Sequence, residues 1–208
     1  MINKTNRFIF VLIMTKAERT RQFIIEKAAP IFNRKGIAGT SMSDIMEATK
    51  LAKGGLYGNF ESKEEICLAS FKYLADLLSD EINKSIGGKT TAKEKLFALL
   101  DFYNARLLKN NYGGCPILNF GTEADDTNPV MKQKVEEVIN RFKTRISNII
   151  KQGQENGEFN QIIDAETFAI KMFTMIEGAI LISKVQDNGT YMHIVVDILK
   201  ADIEQFIN

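Results

Sequence analysis

Apolar residues recur at helical spacing along most of the chain, and strand-like alternation is nowhere sustained. From Lys16 to Lys35, Ile24, Ala28, Ile31 and Phe32 fall on one face, and Gly36 stands where a helix C′ residue belongs. A second amphipathic run, Lys63 to Lys84, is stopped by Gly87-Gly88. Thr91 and Glu94 cap a third, which runs to about Asn110. Asn128 followed by Pro129 is an N-cap with proline at the first helical position, and that helix extends to about Asn156, before Gly157. Asp164 opens another to about Asp187, and Tyr191 to Ile207 forms the last. The expected fold class is all-α.

Between the first two long helices the pattern tightens. In Thr40 to Glu65, TSMSDIMEATKLAKGGLYGNFESKEE, Ser41 and Asp44 have capping-box spacing, a hydroxyl at the N-cap with an acid three residues later. Ile45 and Ala48 share a face, and Leu51 closes against them. Lys50 to Lys53 supply a turn. Gly54 to Phe60 predicts a second short helix, with Leu56 and Phe60 inward at i, i+4 and Lys53, Tyr57 and Asn59 left outside. Three glycines there cost about 1 kcal/mol each relative to alanine, but they let another backbone approach closely. Ser62 and Glu65 repeat the capping box at the start of the next helix. Two short helices joined by a tight turn form a helix-turn-helix, whose second helix enters the DNA major groove. The same capped pair also occurs in all-α proteins that bind no DNA.

Charge changes the picture more than composition does. With 208 residues, 45% hydrophobic and 25% charged, the chain is an ordinary globular protein, and its net charge of +1 is unpromising for a DNA binder. The distribution is uneven, however. Residues 15 to 63 carry nine Lys/Arg against five Asp/Glu, whereas residues 64 to 208 carry sixteen against twenty-one. A basic head on an acidic body binds phosphate at one end only.

Cys67 and Cys115 have neither metal spacing nor the number for a disulfide framework, which suggests a reducing cytoplasm. No phosphate-binding glycine motif, H-x-x-x-H or C-x-x-C pair is present, and the single histidine, His193, reads as a core or interface residue. Carboxylate pairs such as Asp125-Asp126 read as solvated faces. Enzymatic chemistry, a cofactor and a metal are therefore not expected. The apolar run Phe8 to Met14 is too short to span a bilayer. Residues 1 to 14 are expected to be an N-terminal extension, with translation starting at Met14, and a short hydrophobic arm is the alternative.

The order of residues in the helix-turn-helix resembles the TetR family of bacterial transcriptional regulators. Thr40, Ser41, Ile45, Ala48, Lys53, Gly54, Leu56, Tyr57, Phe60, Ser62, Lys63 and Glu65 stand at that family's places, and the close resemblance runs from Arg19 to Ile66. Lys50 occupies the place of a frequent turn glycine, which implies a left-handed lysine. Asn59 replaces a frequent histidine and Gly58 a frequent aromatic residue. The resemblance implies a DNA-binding domain at residues 15 to 62 and a helical ligand-binding and dimerisation domain at residues 63 to 208. It also implies phosphate contacts from Thr40, Tyr57 and Lys63, with Lys53, Gly54, Gly55 and Asn59 at or near base edges and Ser41 among the DNA-binding residues. The partners would be a pseudopalindromic double-stranded operator, a second copy of the chain, and an apolar or aromatic small-molecule inducer that releases a repressor.

The last two helices are apolar on more than one face, which fits either one thick core or a core plus a subunit interface. The resemblance favours the interface and assigns Phe168, Met175, Ile176, Ala179, Ile182, Ile194, Val195 and Ile198 to it. It places a ligand pocket among Phe71, Leu74, Phe97, Leu100, Tyr103, Cys115, Phe120, Met172 and Phe173, although any single one of these is more often ordinary core than a ligand contact. At Gly113-Gly114-Cys115-Pro116 a thiol near a helix start could be activated by the helix dipole. A buried, inert cysteine is the favoured alternative. The second functional reading is a helical small-molecule-binding dimer with a degenerate DNA-reading head.

Overall fold

The computed structural model describes residues 14 to 108 and 113 to 208, so residues 1 to 13 of the N-terminal extension and Lys109 to Tyr112 lie outside the described residues. The described residues form α-helices joined by short turns, with one isolated antiparallel bridge, Phe159 to Ile207. The helices are α1 (Lys16–Lys35), α2 (Met42–Thr49), α3 (Lys53–Tyr57), α4 (Lys63–Ile86), α5 (Ala92–Leu108), α6 (Pro116–Ala124), α7 (Pro129–Glu155), α8 (Ala165–Val185) and α9 (Thr190–Glu204). The all-α expectation holds.

Local chemistry accounts for most boundaries. Thr15 and Glu18 cap α1 reciprocally, and Gly36 ends it at φ 78°. Ser41 and Asp44 form the expected reciprocal box at α2, and Lys50 ends that helix in the left-handed region at φ 57°, ψ 24°. Asn128 accepts from the Met131 N–H and Pro129 fills the first position of α7. Two expectations shift. The second short helix is Lys53–Tyr57 and stops before Phe60, although Leu56 and Phe60 are both buried. The second capping box is half formed: the Ser62 hydroxyl accepts from the Glu65 N–H, but the Glu65 carboxylate turns to the Glu61 N–H and to Arg21.

α1 packs chiefly on α4 and on α2, and α4 continues into the body, where it meets α5, α6 and α7. α8 is sandwiched between α7 and α9, and α9 closes on α5. One continuous set of buried apolar side chains runs from Ile24, Ile45 and Leu56 at the head, through Phe71 and Phe120, to Met172 and Leu199 in the body. At about 25 cal/mol per Å² of apolar surface removed from water, this burial is the main force holding head to body.

Candidate functional site

The head is assembled around α3. The Arg21 guanidinium lies 3.9 Å over the Phe60 ring, donates to the Asn59 carbonyl, and reaches Glu65 at 2.5 Å. That hydrogen bond from Arg21 holds the Glu65 carboxyl below its usual range. One side chain of α1 thus fixes both the exit from α3 and the start of α4. On the other side, Lys35 pairs with Asp44 at 2.6 Å and docks α2 on the end of α1.

With α3 fixed, Lys53 and Tyr57 share an outer face at i, i+4, and the Lys53 ammonium is 5.7 Å from the ring centroid. Tyr57 is 45% exposed, unusual for so large an apolar ring. A β-carbon at Gly54 would meet nothing within 4 Å, and one at Gly55 would make only ordinary contact with Leu51. Neither glycine has a positive φ. Nothing inside the chain therefore requires glycine there, despite its cost in a helix.

Three expected DNA contacts are placed differently. Thr40 is buried and its hydroxyl donates to the Gly36 carbonyl at 2.6 Å, so its side chain fastens the α1–α2 turn and does not face outward. Lys63 sends its ammonium to the carbonyls of Ile37 and Thr40, at 2.9 and 3.0 Å, and holds the same turn. Asn59 donates from its amide to the Gly55 carbonyl at 2.8 Å, capping the end of α3. Ser41 is exposed, with its hydroxyl shared between the Asp44 N–H and carboxylate.

Sequence reasoning missed Glu123 and the two asparagines at the head–body seam. From α6, Glu123 accepts from the backbone N–H groups of Ile37 and Ala38 at 2.5 and 2.6 Å. Gly36 permits this approach, since a β-carbon there would lie 2.7 Å from the carboxylate. Asn119 donates to the carbonyl of Asn33, and Asn33 in turn reaches the Gly114 carbonyl. A polar residue on a short helix carries no sequence signal that it meets a turn more than 80 residues away.

In the body, Leu74, Leu100, Tyr103, Phe120 and Met172 are buried in the core, with Phe71 stacked on Phe120 at 5.2 Å. Phe97 lies elsewhere, between the ammonium groups of Lys93 and Lys200, while Phe173 packs on Phe142. Cys115 is the N-cap residue of α6, and it is buried, as the favoured alternative had it, with no activation of its thiol. Burial pushes the thiol well above its ordinary range, reinforced by the charge of Glu177, to which it donates at 3.1 Å. Cys67 is likewise pushed up by burial, to about 12. Desolvation outweighs the helix dipole. Burial also raises the Glu177 carboxyl to about 7, and its second oxygen has no partner among the described residues.

The interface residues separate into two groups. Phe168, Ile176 and Ala179 are buried within the chain and belong to its core, Phe168 meeting Phe206 edge to face. Met175 and Val195 are half-buried. Ile182, Ile194 and Ile198 are exposed, together with Ile170, Leu181 and Val185, which the sequence did not single out. His193 is exposed beside Ile194 and is no core residue. A separate open groove of about 1130 Å³ lies between α4 and α7, and of the expected pocket residues it includes Phe71. No described helix is long and apolar enough to cross a membrane.

Comparison with known proteins agrees with this geometry. Residues 24–69 match the family described as bacterial regulatory proteins, tetR family, and residues 92–199 match the tetracyclin repressor-like C-terminal domain. A TetR-family transcriptional regulator from Cytophaga hutchinsonii superposes with a TM-score of 0.87 at 38% identity, covering 93% of this chain and 98% of that one. A TetR regulator from Chloroflexus aurantiacus gives 0.89 at 34%, with the same coverage. The transcriptional repressor DhaR of a Mycobacterium species is 27% identical over 81% of this chain and 84% of its own. A degenerate, non-reading head is not favoured. The chain belongs to the TetR family of bacterial transcriptional regulators.

Proposed function

We propose that this regulator is a homodimeric repressor that releases its operator when a small molecule binds the helical body. Residues 15 to 62 read DNA, and residues 63 to 208 dimerise and bind the ligand. The observation that carries the reading is the outer face of α3: an exposed tyrosine, a lysine beside it, and two glycines that no internal contact requires. Tyr57 and Lys53 contact phosphate or base edges, and Gly54 and Gly55 allow the backbone to approach the groove floor. Their partner is double-stranded DNA, which places the protein in the cytoplasm, and the reading includes no catalysis.

Dimerisation is supported by the exposed apolar side chains of α8 and α9, whose burial against a second copy would pair the two heads. Two heads related by a two-fold axis meet half-sites of a pseudopalindrome one helical turn, or a multiple of it, apart. The name of DhaR supports repression as the sense of regulation.

The test is binding of the full chain to the DNA immediately upstream of its coding region, at two salt concentrations, with a scrambled duplex as control. Specific binding that weakens at high salt is expected, and Tyr57→Ala should weaken it on every cognate sequence by tenfold or more. Failure there, and in selection from random duplexes, would overturn the reading.

A further inference from the structure

The groove between α4 and α7 has an unbalanced charge. Its lining includes five cationic side chains and three carboxylates. Arg21 pairs with Glu65, Lys72 with Asp76, and Lys134 with Glu137. Arg141 and Arg145, one turn apart on α7, have no carboxylate partner among the described residues. Arg145 is half-buried and, among the described residues, its guanidinium donates to the Ser79 hydroxyl at 2.8 Å. Burial lowers the Arg145 pKa; the Tyr103 hydroxyl opposes this, and the neighbouring Arg141 charge adds to the lowering. Two guanidiniums held close together, one of them partly desolvated, are relieved by an anion.

Besides these two arginines and the three ion pairs, the groove carries apolar surface. Leu68 and Ala69 from α4 and Val130 and Val138 from α7 give it accessible apolar surface, over the buried Phe71 and Ala75. Its lining along α4, from Glu65 to Asp76, spans about 16 Å at 1.5 Å per residue. An occupant therefore meets a cationic end and an extended apolar wall. The opposite end carries the Arg21–Glu65 pair, which fastens the head to α4.

We infer that this groove binds an amphipathic monoanion, with its carboxylate on Arg141 and Arg145 and its apolar body along Leu68, Ala69, Val130 and Val138. The site deepens the ligand-responsive reading of the body and rests on it. It differs from the aromatic core around Tyr103 and Phe120, and it places a ligand against the helix that carries the head. Charge complementarity selects the class: a cation of the same shape would meet two uncompensated positive groups.

Full-length protein is titrated calorimetrically with dodecanoate, kept below its micelle-forming concentration, and with dodecyltrimethylammonium as the matched cation. Saturable dodecanoate binding is expected, with no saturable binding of the cation. Affinity should fall at least tenfold in R141Q/R145Q and in the single variant Arg141→Glu, whose exposed position leaves folding undisturbed. Absence of dodecanoate binding, equal binding by the variants, or equal binding of the cation would overturn the assignment. Operator binding by the ligand-free protein, measured on the same samples, tests the regulator reading alone: if it is intact while dodecanoate fails to bind, only the groove is wrong.

Discussion

Gly54→Ala should move stability and DNA binding in opposite directions. The backbone at Gly54 is helical, with no positive φ to defend, and the added β-carbon enters open space. Replacing a helical glycine by alanine without a clash stabilises by about 0.5–1 kcal/mol, partly by restricting the unfolded chain. In a chain of 208 residues, that corresponds to a melting temperature higher by roughly 1–4 °C. If α3 lies against the floor of the major groove, the same methyl group occupies space that the DNA needs. Operator affinity should then fall at least tenfold, about 1.4 kcal/mol. Gly39→Ala is the control, because a β-carbon there would lie 2.2 Å from the Lys35 carbonyl. That variant should lose stability and operator binding together. Thermal denaturation and operator titration on both variants make the comparison. A Gly54→Ala protein that binds operator as tightly as wild type would refute the placement of α3 against DNA.

Lys50→Gly should raise stability by about 1 kcal/mol, because the lysine is held at φ 57°, where a side chain is strained, and the urea midpoint reads this directly. Glu123→Ala should cost about 2 kcal/mol, since it leaves the Ile37 and Ala38 amides without their charged acceptor, and hydrogen exchange at those two amides should accelerate. Glu177→Gln should remove a pH dependence. The folded-state carboxyl, raised by burial from 4.5 to about 7, keeps a proton that the unfolded chain has lost, so wild-type stability falls as pH rises through that window, by up to about 3 kcal/mol. The variant's urea midpoint should lack this decline, and parallel curves for the two proteins would exclude Glu177 as its source.

What the sequence made legible was local. Ser41 with Asp44, Asn128 with Pro129, and Gly36 are cap signals whose partners lie within four residues, and each ends or begins a helix where expected. The left-handed Lys50 was legible through the resemblance, because it stands where the family often has a turn glycine. The signal weakened where several partners compete for one side chain. Glu65 has capping-box spacing, yet Arg21, 44 residues earlier in the chain, draws its carboxylate away. Thr40, Lys63 and Asn59 are polar residues in a DNA-reading segment, but all three answer backbone carbonyls nearby. The α8 pattern told of two buried faces without saying which apolar residue faced which way. Only the packing of α7 and α9 on α8 separates Ile176 and Ala179, in the core, from Leu181 and Ile182, outside it.

The same long-range contacts determine how a body could move a head. α4 alone would make a poor lever, because a helix entering the head at one end can pivot about Ser62. The α1–α2 turn removes that freedom by being held twice. Lys63 grips its carbonyls from α4, and Glu123 grips its amides from α6. These two side chains anchor opposite polarities of one turn from two different body helices. A relative shift of α4 and α6 therefore cannot leave both sets of bonds intact, and the head must follow one helix or lose contacts to the other. Both Glu123 bonds are charge-assisted but one is exposed to water, so the penalty for parting them together is about 2 kcal/mol, within the 1–3 kcal/mol that allosteric coupling typically needs. A ligand that wedges α4 from α7, on which α6 also packs, would act on that penalty directly.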